Sequence, residues 1–220
     1  MHKAGDMTVM KLMSFLRSDF RPLGAALVAV CGVACLAAVF PPCGAAAEPE
    51  LRFRAQRLVL DNNEGCAVAD INRDGHPDVV AGRSWYEGPD FRQHPLRAMK
   101  AFGKDYLENN GDHVMDVDGD GWIDVVAGSF MPREIYWYRN PGKEGLKQNQ
   151  LWSRHLLATA GTNNEITFLR DLDGDQKPEW VVDSWNTQAD LMAWRFEKTL
   201  DGTPQLVPWV IGRGVNGHGM

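Results

Sequence analysis

Residues 116–126 of this 220-residue chain read DVDGDGWIDVV, and this pattern is the basis for predicting its fold. Two other stretches share its pattern: residues 70–80 read DINRDGHPDVV, and residues 171–182 read DLDGDQKPEWVV. In all three, D-x-[DN]-x-D-[GQ]-x-x-[DE] leads into a run rich in β-branched residues, and the starts are separated by 46 and then 55 residues. Three copies of so restricted a pattern predict a repeat architecture.

The spacing of the acidic residues predicts a calcium loop. Side chains at positions 1, 3 and 5 turn their oxygens inward, position 7 offers its backbone carbonyl, and a carboxylate at position 9 closes the cage. Hard oxygen ligands favour Ca²⁺, so we expect up to three structural calcium ions; the alternative is a set of Asp/Gly turns without metal. The predicted ligands, with position 7 acting through its carbonyl, are Asp70, Asn72, Asp74, His76 and Asp78; Asp116, Asp118, Asp120, Trp122 and Asp124; and Asp171, Asp173, Asp175, Lys177 and Glu179.

Two positions within the loops carry further information. Position 6 is glycine in the first two loops but Gln176 in the third, where a positive φ would strain a residue that has a Cβ. An EF-hand needs a bidentate glutamate at position 12 and a following helix. Here position 12 is apolar in every loop: Ala81, Ala127 and Val182. The residues around it are rich in valine, so each loop is predicted to join two strands.

The repeat extends beyond the loop on both sides. An asparagine stands seven residues before each first aspartate, at Asn63, Asn109 and Asn164. A short apolar stretch follows it, and after the loop come a valine-rich strand, an aromatic strand and an outer strand. The aromatic strands contain Trp85, Trp137 and Trp194, which we expect in the core between blades. Four short strands per unit of this length predict the blades of a β-propeller, an all-β fold.

The motifs ADINRDGHPDVVAG, MDVDGDGWIDVVAG and RDLDGDQKPEWVV resemble the FG-GAP/VCBS repeats of extracellular β-propellers, which are related to integrin α-subunit propellers. The resemblance covers about residues 51–220. It implies calcium in the loops and a propeller that usually has seven blades. It does not imply one activity, since members include adhesion proteins, lectin-like modules and the propeller domains of sugar lyases and dehydratases.

Three blades cannot close a ring, since propellers begin at about four blades. Residues 51–60, LRFRAQRLVL, are predicted to form an outer strand that would complete the last blade of a closed ring. The final residues, VNGHGM, resemble the approach to a fourth loop. We therefore interpret residues 48–220 as an incomplete propeller, the N-terminal part of a longer one.

Residues 1–47 have the pattern of an export signal. Four basic residues precede residues 23–40, which carry no charge, and Ala45, Ala46 and Ala47 offer a cleavage site. An uncleaved membrane anchor is the alternative. Without this segment the remaining 173 residues have a net charge of −8 and keep only Cys66 of the four cysteines, so no internal disulfide can form. The predicted location is secreted, periplasmic or at the cell surface.

The acidic charge excludes duplex DNA as a partner on electrostatic grounds, and we expect an extracellular protein or carbohydrate instead. The loops before each first strand are predicted to form a ligand face, comprising Asn63, Glu64, Asn109, Asn110, Asp112, His113, Asn164, Glu165 and His218. The alternative is that these side chains only satisfy the backbone of turns. The sequence favours a calcium-dependent binding or adhesion module; the alternative is a sugar lyase or dehydratase with His113 and Glu165 as catalytic residues.

Overall fold

A computed structural model describes residues 51–103 and 106–217, and its strands begin at Ala67. The predicted export signal and His218 lie outside these residues. Within them, no helix is long and apolar enough to cross a membrane. The only helix in this part of the chain is α1, Gly142–Lys147.

The strands form three four-stranded antiparallel sheets, each with its strands in sequence order. Blade 1 consists of β1 (Ala67–Ala69), β2 (Asp78–Ala81), β3 (Ser84–Glu87) and β4 (Arg92–Pro95). A two-stranded hairpin follows, β5 (Ala101–Phe102) and β6 (Tyr106–Leu107). Blade 2 consists of β7 (Gly111–Met115), β8 (Asp124–Gly128), β9 (Glu134–Arg139) and β10 (Ser153–Thr159). Blade 3 consists of β11 (Thr167–Arg170), β12 (Glu179–Val182), β13 (Leu191–Lys198) and β14 (Pro204–Gly212).

These sheets confirm the prediction of three four-stranded blades. Each acidic loop joins the first strand of its blade to the second, because the valine-rich run after the loop pairs back on the apolar strand before it. Successive side chains of a strand point to opposite faces, so every second residue of these strands packs between neighbouring sheets.

The blades meet in two separate hydrophobic cores. Trp85 packs in the core that also contains Tyr138, and Trp137 packs in the core that also contains Trp194. In each core one ring comes from the earlier blade and the other from the next, so aromatic residues fill the space between adjacent sheets. The prediction that Trp85, Trp137 and Trp194 lie in inter-blade core is confirmed.

The register nevertheless separates Trp194 from the other two tryptophans. Trp85 pairs with Val80, the residue at position 11 of its repeat, and Trp137 pairs with the corresponding Val126. In blade 3 the residue at position 11 is Val181, which pairs with Ala193. Trp194 is therefore the counterpart of Tyr86 and Tyr138 and faces the preceding blade.

Residues 51–60 were predicted to form an outer strand that completes the last blade of a closed ring, and that blade is not among the three described sheets. This segment contains no strand, and Leu51, Phe53 and Leu60 are exposed. Each of the three described sheets has its own fourth strand, so none of them offers residues 51–60 an edge to pair with, and the prediction for the last blade stays a prediction.

Candidate functional site

The three acidic loops are closed by the same hydrogen bonds. The carboxylate at position 1 accepts the backbone N–H of position 6: Asp70 from Gly75 at 2.9 Å, Asp116 from Gly121 at 2.9 Å and Asp171 from Gln176 at 3.0 Å. The carboxylate at position 5 accepts the N–H of position 7 at 2.8–2.9 Å in all three loops: Asp74 from His76, Asp120 from Trp122 and Asp175 from Lys177. The loops therefore share one backbone conformation.

Two residues of each loop have a left-handed backbone. At position 6, φ is 87° for Gly75, 85° for Gly121 and 71° for Gln176. The prediction that Gln176 adopts a positive φ is confirmed. Position 4 is also left-handed, with φ of 63° at Arg73 and 83° at both Gly119 and Gly174, which the sequence analysis did not identify. Gly119 and Gly174 were the sequence feature from which a left-handed backbone at position 4 could have been predicted.

The position 9 carboxylates are buried and hold the loops to the sheets. One oxygen of Asp78, Asp124 and Glu179 accepts the N–H of position 2 of its own loop, at 2.8, 3.0 and 2.8 Å. The other oxygen of Asp78 accepts the N–H of Gly88, and that of Asp124 accepts the N–H of Asn140, both at 2.8 Å. In loops 1 and 2, position 9 therefore fixes the loop against the end of the third strand.

Burial of Asp78 and Asp124 opposes their ionisation. Burial raises the pKa of Asp124 to about 6, even though the N–H groups of Asn140 and Val117 donate to it. Burial also raises the pKa of Asp78, against the hydrogen bonds from Gly88 and Ile71. Both groups are held where a negative charge is poorly solvated.

The acidic groups of loops 2 and 3 converge as a metal site requires. One oxygen each of Asp116, Asp118 and Asp124 lies within 4.8 Å of the others, and Asp171, Asp173 and Glu179 form the equivalent cluster. These are carboxylate oxygens in a short loop, the donor set that suits a hard divalent cation. The residues present therefore fit a metal ion.

A side chain on the third strand contacts position 3 of every loop. Arg139 donates to Asp118 at 2.6 Å and to Asp120 at 2.8 Å. Arg195 donates to Asp173 at 2.8 Å. In loop 1, where position 3 is Asn72, the Asn72 amide donates to Glu87 at 3.1 Å. The partner on the third strand is therefore an arginine where position 3 is an aspartate, and a glutamate where position 3 is an asparagine. No sequence pattern indicated this tertiary relationship.

Several residues of the predicted ligand face lie buried between blades. Asn109 donates to Asn63 at 2.7 Å and to Asp112 at 3.1 Å, and Asn164 donates to the carbonyl of Ser129 at 3.2 Å. Asn110 donates to the carbonyl of Glu165 at 3.1 Å and to that of Asn164. These asparagines join one repeat to the next.

Asp112 forms a buried ion pair with Arg97, and the side chains of both are almost fully buried. Arg97 also donates to the carbonyl of Gly82 at 2.9 Å, and its guanidinium lies 4.6 Å from the ring centre of Tyr138. No sequence pattern indicates Arg97, because only the packing of blade 1 against blade 2 brings it to Asp112.

His113 lies between blades 2 and 3. Its Nε2 is 3.0 Å from the hydroxyl of Thr167, and its ring packs edge-on to Trp180 with centroids 4.9 Å apart. Burial lowers the pKa of His113, against the opposing effects of Asp112 and Thr167. His113 is not among the described residues that line the cavity to which Glu165 contributes.

That cavity brings together residues from all three repeats. Its volume is about 330 Å³, and its walls include Glu64, Glu108, Ser129, Phe130, Glu165 and Trp185. Glu64 and Glu165 each directly follow the repeat asparagine, so two of the predicted ligand-face residues meet here. The rings of Phe130 and Trp185 are nearly perpendicular, with centroids 4.9 Å apart.

The sheets and loops together define blades of a β-propeller, each with an acidic loop between its first two strands. Residues 116–182 match the profile of the FG-GAP-like repeat, which confirms the resemblance noted in the motifs. This repeat indicates a β-propeller-type binding module. A comparison with curated proteins gave no match.

Proposed function

We propose that this chain is an exported calcium-binding β-propeller module whose loops hold Ca²⁺ and whose ligand face binds an extracellular protein or carbohydrate. The observation that carries the calcium proposal is the repetition of one closed loop conformation three times, with acidic clusters in loops 2 and 3. Calcium would supply positive charge among carboxylates that otherwise repel one another.

Each loop would use the ligands predicted from its sequence. The side chains at positions 1, 3, 5 and 9 and the carbonyl of position 7 would hold the ion. The third loop would bind calcium as the others do, since Gln176 reaches the same left-handed conformation as the two glycines. Calcium would be structural here, because it would lock a loop that connects two strands of a blade.

Export is supported by the charge pattern of residues 1–47 and by the usual extracellular setting of FG-GAP-like repeats. Calcium sites of extracellular modules have dissociation constants of about 0.1–1 mM, which suits a protein that meets calcium outside the cell.

Ligand binding is supported by the cavity between the repeats. It is concave, mostly apolar and lined by a few polar groups, which is the usual form of a ligand site. We favour binding over the lyase or dehydratase alternative, because His113 packs against Thr167 and Trp180 while Glu165 lines the cavity.

Thermal unfolding with and without calcium tests the proposal. We expect a melting temperature that rises with calcium concentration and falls when EGTA is added. The response to calcium should weaken in an Asp118→Asn/Asp173→Asn variant. The matched control is Asp201→Asn, which changes an exposed carboxylate in the turn between β13 and β14. An unchanged melting temperature at every calcium concentration would refute structural calcium.

A further inference from the structure

We propose that loops 1 and 2 bind calcium cooperatively and that Asn140 is the positioning residue that couples them. This coupling rests on the proposed calcium sites and would regulate them, because an ion in either loop would raise the affinity of the other loop. Two observations carry the proposal: buried hydrogen bonds run without a break from one loop to the other, and the residues equivalent to Asn140 in the other blades have no side chain that could make them.

The buried hydrogen bonds connect the position 9 carboxylates of the two loops. In loop 1, Asp78 accepts the backbone N–H of Ile71 at 2.8 Å. The carbonyl of Ile71 accepts the side-chain amide of Asn140 at 3.1 Å, and the backbone N–H of Asn140 donates to Asp124 of loop 2 at 2.8 Å. All four residues are at most 2% exposed, so water does not replace these bonds. A displacement of either carboxylate would therefore disturb the other loop.

The side chain of Asn140 is held in one orientation. Its amide group also donates to the carbonyl of Ile123 at 2.9 Å, and its Oδ1 accepts the N–H of Gly142 at 2.9 Å. Ile71 directly precedes position 3 of loop 1, and Ile123 directly precedes position 9 of loop 2. Asn140 therefore binds the backbone beside a predicted calcium ligand in each loop.

The equivalent residues of the other blades show what Asn140 adds. They are Gly88 in blade 1 and Phe196 in blade 3, as the pairing of the second and third strands defines them. Gly88 donates its N–H to the position 9 carboxylate of its own loop, as Asn140 does, but it has no side chain to reach a neighbouring loop. The hydrogen bond from Lys198 of blade 3 to the carbonyl of Asp118 in loop 2 is exposed, so water competes for it.

Cooperativity follows from the shared hydrogen bonds. An ion that holds Asp124 in place would also fix Asn140 and the carbonyl of Ile71, so loop 1 would lose less conformational entropy when its own ion binds. Thermodynamic linkage makes the effect reciprocal. Loop 1 has the most to gain, because Asn72 leaves it three carboxylates where loops 2 and 3 have four, and calcium affinity depends on the number of charged ligands.

The test is a calcium titration of the full chain in which NMR follows each loop separately. The backbone N–H signals of Gly75 and Gly121, at position 6 of loops 1 and 2, report the filling of each site. The variant Asp118→Asn/Asp120→Asn disables loop 2, and we expect it to raise the calcium midpoint of loop 1 about fivefold. Two carboxylates without calcium carry the same net charge as four carboxylates with it, so long-range charge does not produce this shift.

A double-mutant cycle isolates the role of Asn140. When loop 2 is disabled in an Asn140→Ala chain, the midpoint of loop 1 should move by less than about twofold. A merely structural role would change the midpoints of both loops but would leave the fivefold ratio in place. The matched control is Asn216→Ala, a buried asparagine whose side chain bonds the backbone of Ser184 and Asp190, and this chain should keep the fivefold shift.

Circular dichroism melting shows whether each variant is folded. If Asn140→Ala does not fold, Asn140→Ser replaces it, because one hydroxyl hydrogen cannot bond the carbonyls of both Ile71 and Ile123. An unchanged loop 1 midpoint after loop 2 is disabled would overturn the coupling, and a fivefold shift that persists without Asn140 would overturn its role. In either case the calcium sites stand, since both signals still respond to calcium. A parent chain in which neither signal responds would contradict the proposed function itself.

Discussion

Arg139 in blade 2 occupies the position that Glu87 occupies in blade 1. Each directly follows the aromatic residue that pairs with position 10 of its repeat, since Tyr138 pairs with Val125 and Tyr86 with Val79. Arg139 binds the carboxylates of loop 2, whereas Glu87 accepts a hydrogen bond from Asn72 of loop 1. The third strand thus offers an arginine where position 3 of the loop is an aspartate, and a hydrogen-bond acceptor where it is Asn72.

This relationship predicts that Arg139 weakens metal binding at loop 2. The guanidinium attracts the oxygens of Asp118 and Asp120 that a calcium ion would also use. In the variant Arg139→Gln we expect calcium affinity at loop 2 to rise about fivefold, as measured by isothermal titration calorimetry. The control is Arg133→Gln, because Arg133 precedes the other end of the same strand and donates to the carbonyl of Gly161. A lower affinity in Arg139→Gln would show that Arg139 supports the site.

The strained backbone of the third loop predicts a stabilising substitution. Gln176 has φ of 71°, a conformation that costs a residue with a Cβ about 1 kcal/mol more than it costs glycine. We therefore expect Gln176→Gly to raise the free energy of unfolding in urea by about 1 kcal/mol. The reverse change at the matching position, Gly121→Gln, should lower it. Stabilisation by both substitutions, or by neither, would contradict this explanation.

The close approach of blades 2 and 3 predicts that Gly111 tolerates no side chain. A Cβ at Gly111 would overlap the hydroxyl of Thr167. We expect Gly111→Ala to lower the free energy of unfolding by about 2 kcal/mol. The control is Gly161→Ala, where a Cβ would meet nothing within 4 Å and the change should stay within about 0.5 kcal/mol. If Gly111→Ala changes the free energy of unfolding no more than Gly161→Ala does, the interface accommodates a Cβ at Gly111 and this explanation is wrong.

Burial of His113 predicts a loss of stability in acid. Because burial lowers the pKa of His113 in the folded state, the unfolded chain binds a proton at a higher pH than the folded chain does. The free energy of unfolding therefore falls as the pH is lowered from above the ordinary histidine pKa of about 6.5 through the folded pKa. The measurement is urea unfolding at a series of pH values.

The variant His113→Gln should show a smaller loss between about pH 7.5 and about pH 5.5 than the parent chain. Carboxylates titrate in both chains, so only the difference between them reports on His113. His155→Gln, at an exposed histidine on β10, should keep the full pH dependence of the parent. An identical pH dependence in His113→Gln and the parent would exclude His113 as its source.

The sequence predicted the blades and their loops because both depend on local spacing. Asp116, Asp118 and Asp120 alternate along the chain, and the hydrogen bonds that close the loop join residues no more than five positions apart. The strand pattern of β8 follows from the same short stretch. Such features can be predicted without knowing which blade lies beside which.

The contacts between blades could not be predicted in this way. Arg97 and Asp112 are 15 residues apart, and only the packing of one sheet on another makes them a buried pair. Trp194 looked equivalent to Trp137 in sequence, but one residue of register places it on the opposite face of its sheet. The cavity was partly foreseen through Glu64 and Glu165, while Phe130 and Trp185 gave no signal because each lies outside the repeated motif.

We propose that each of the three loops, which share one conformation, holds one calcium ion. Equilibrium dialysis of the full chain against calcium tests it most directly, because it counts the ions bound per chain. We predict three ions for the parent chain, and two for a variant in which Asp171→Asn and Asp175→Asn remove carboxylates from loop 3. A folded chain that binds no calcium at about 1 mM, the concentration at which extracellular modules are filled, would contradict the account.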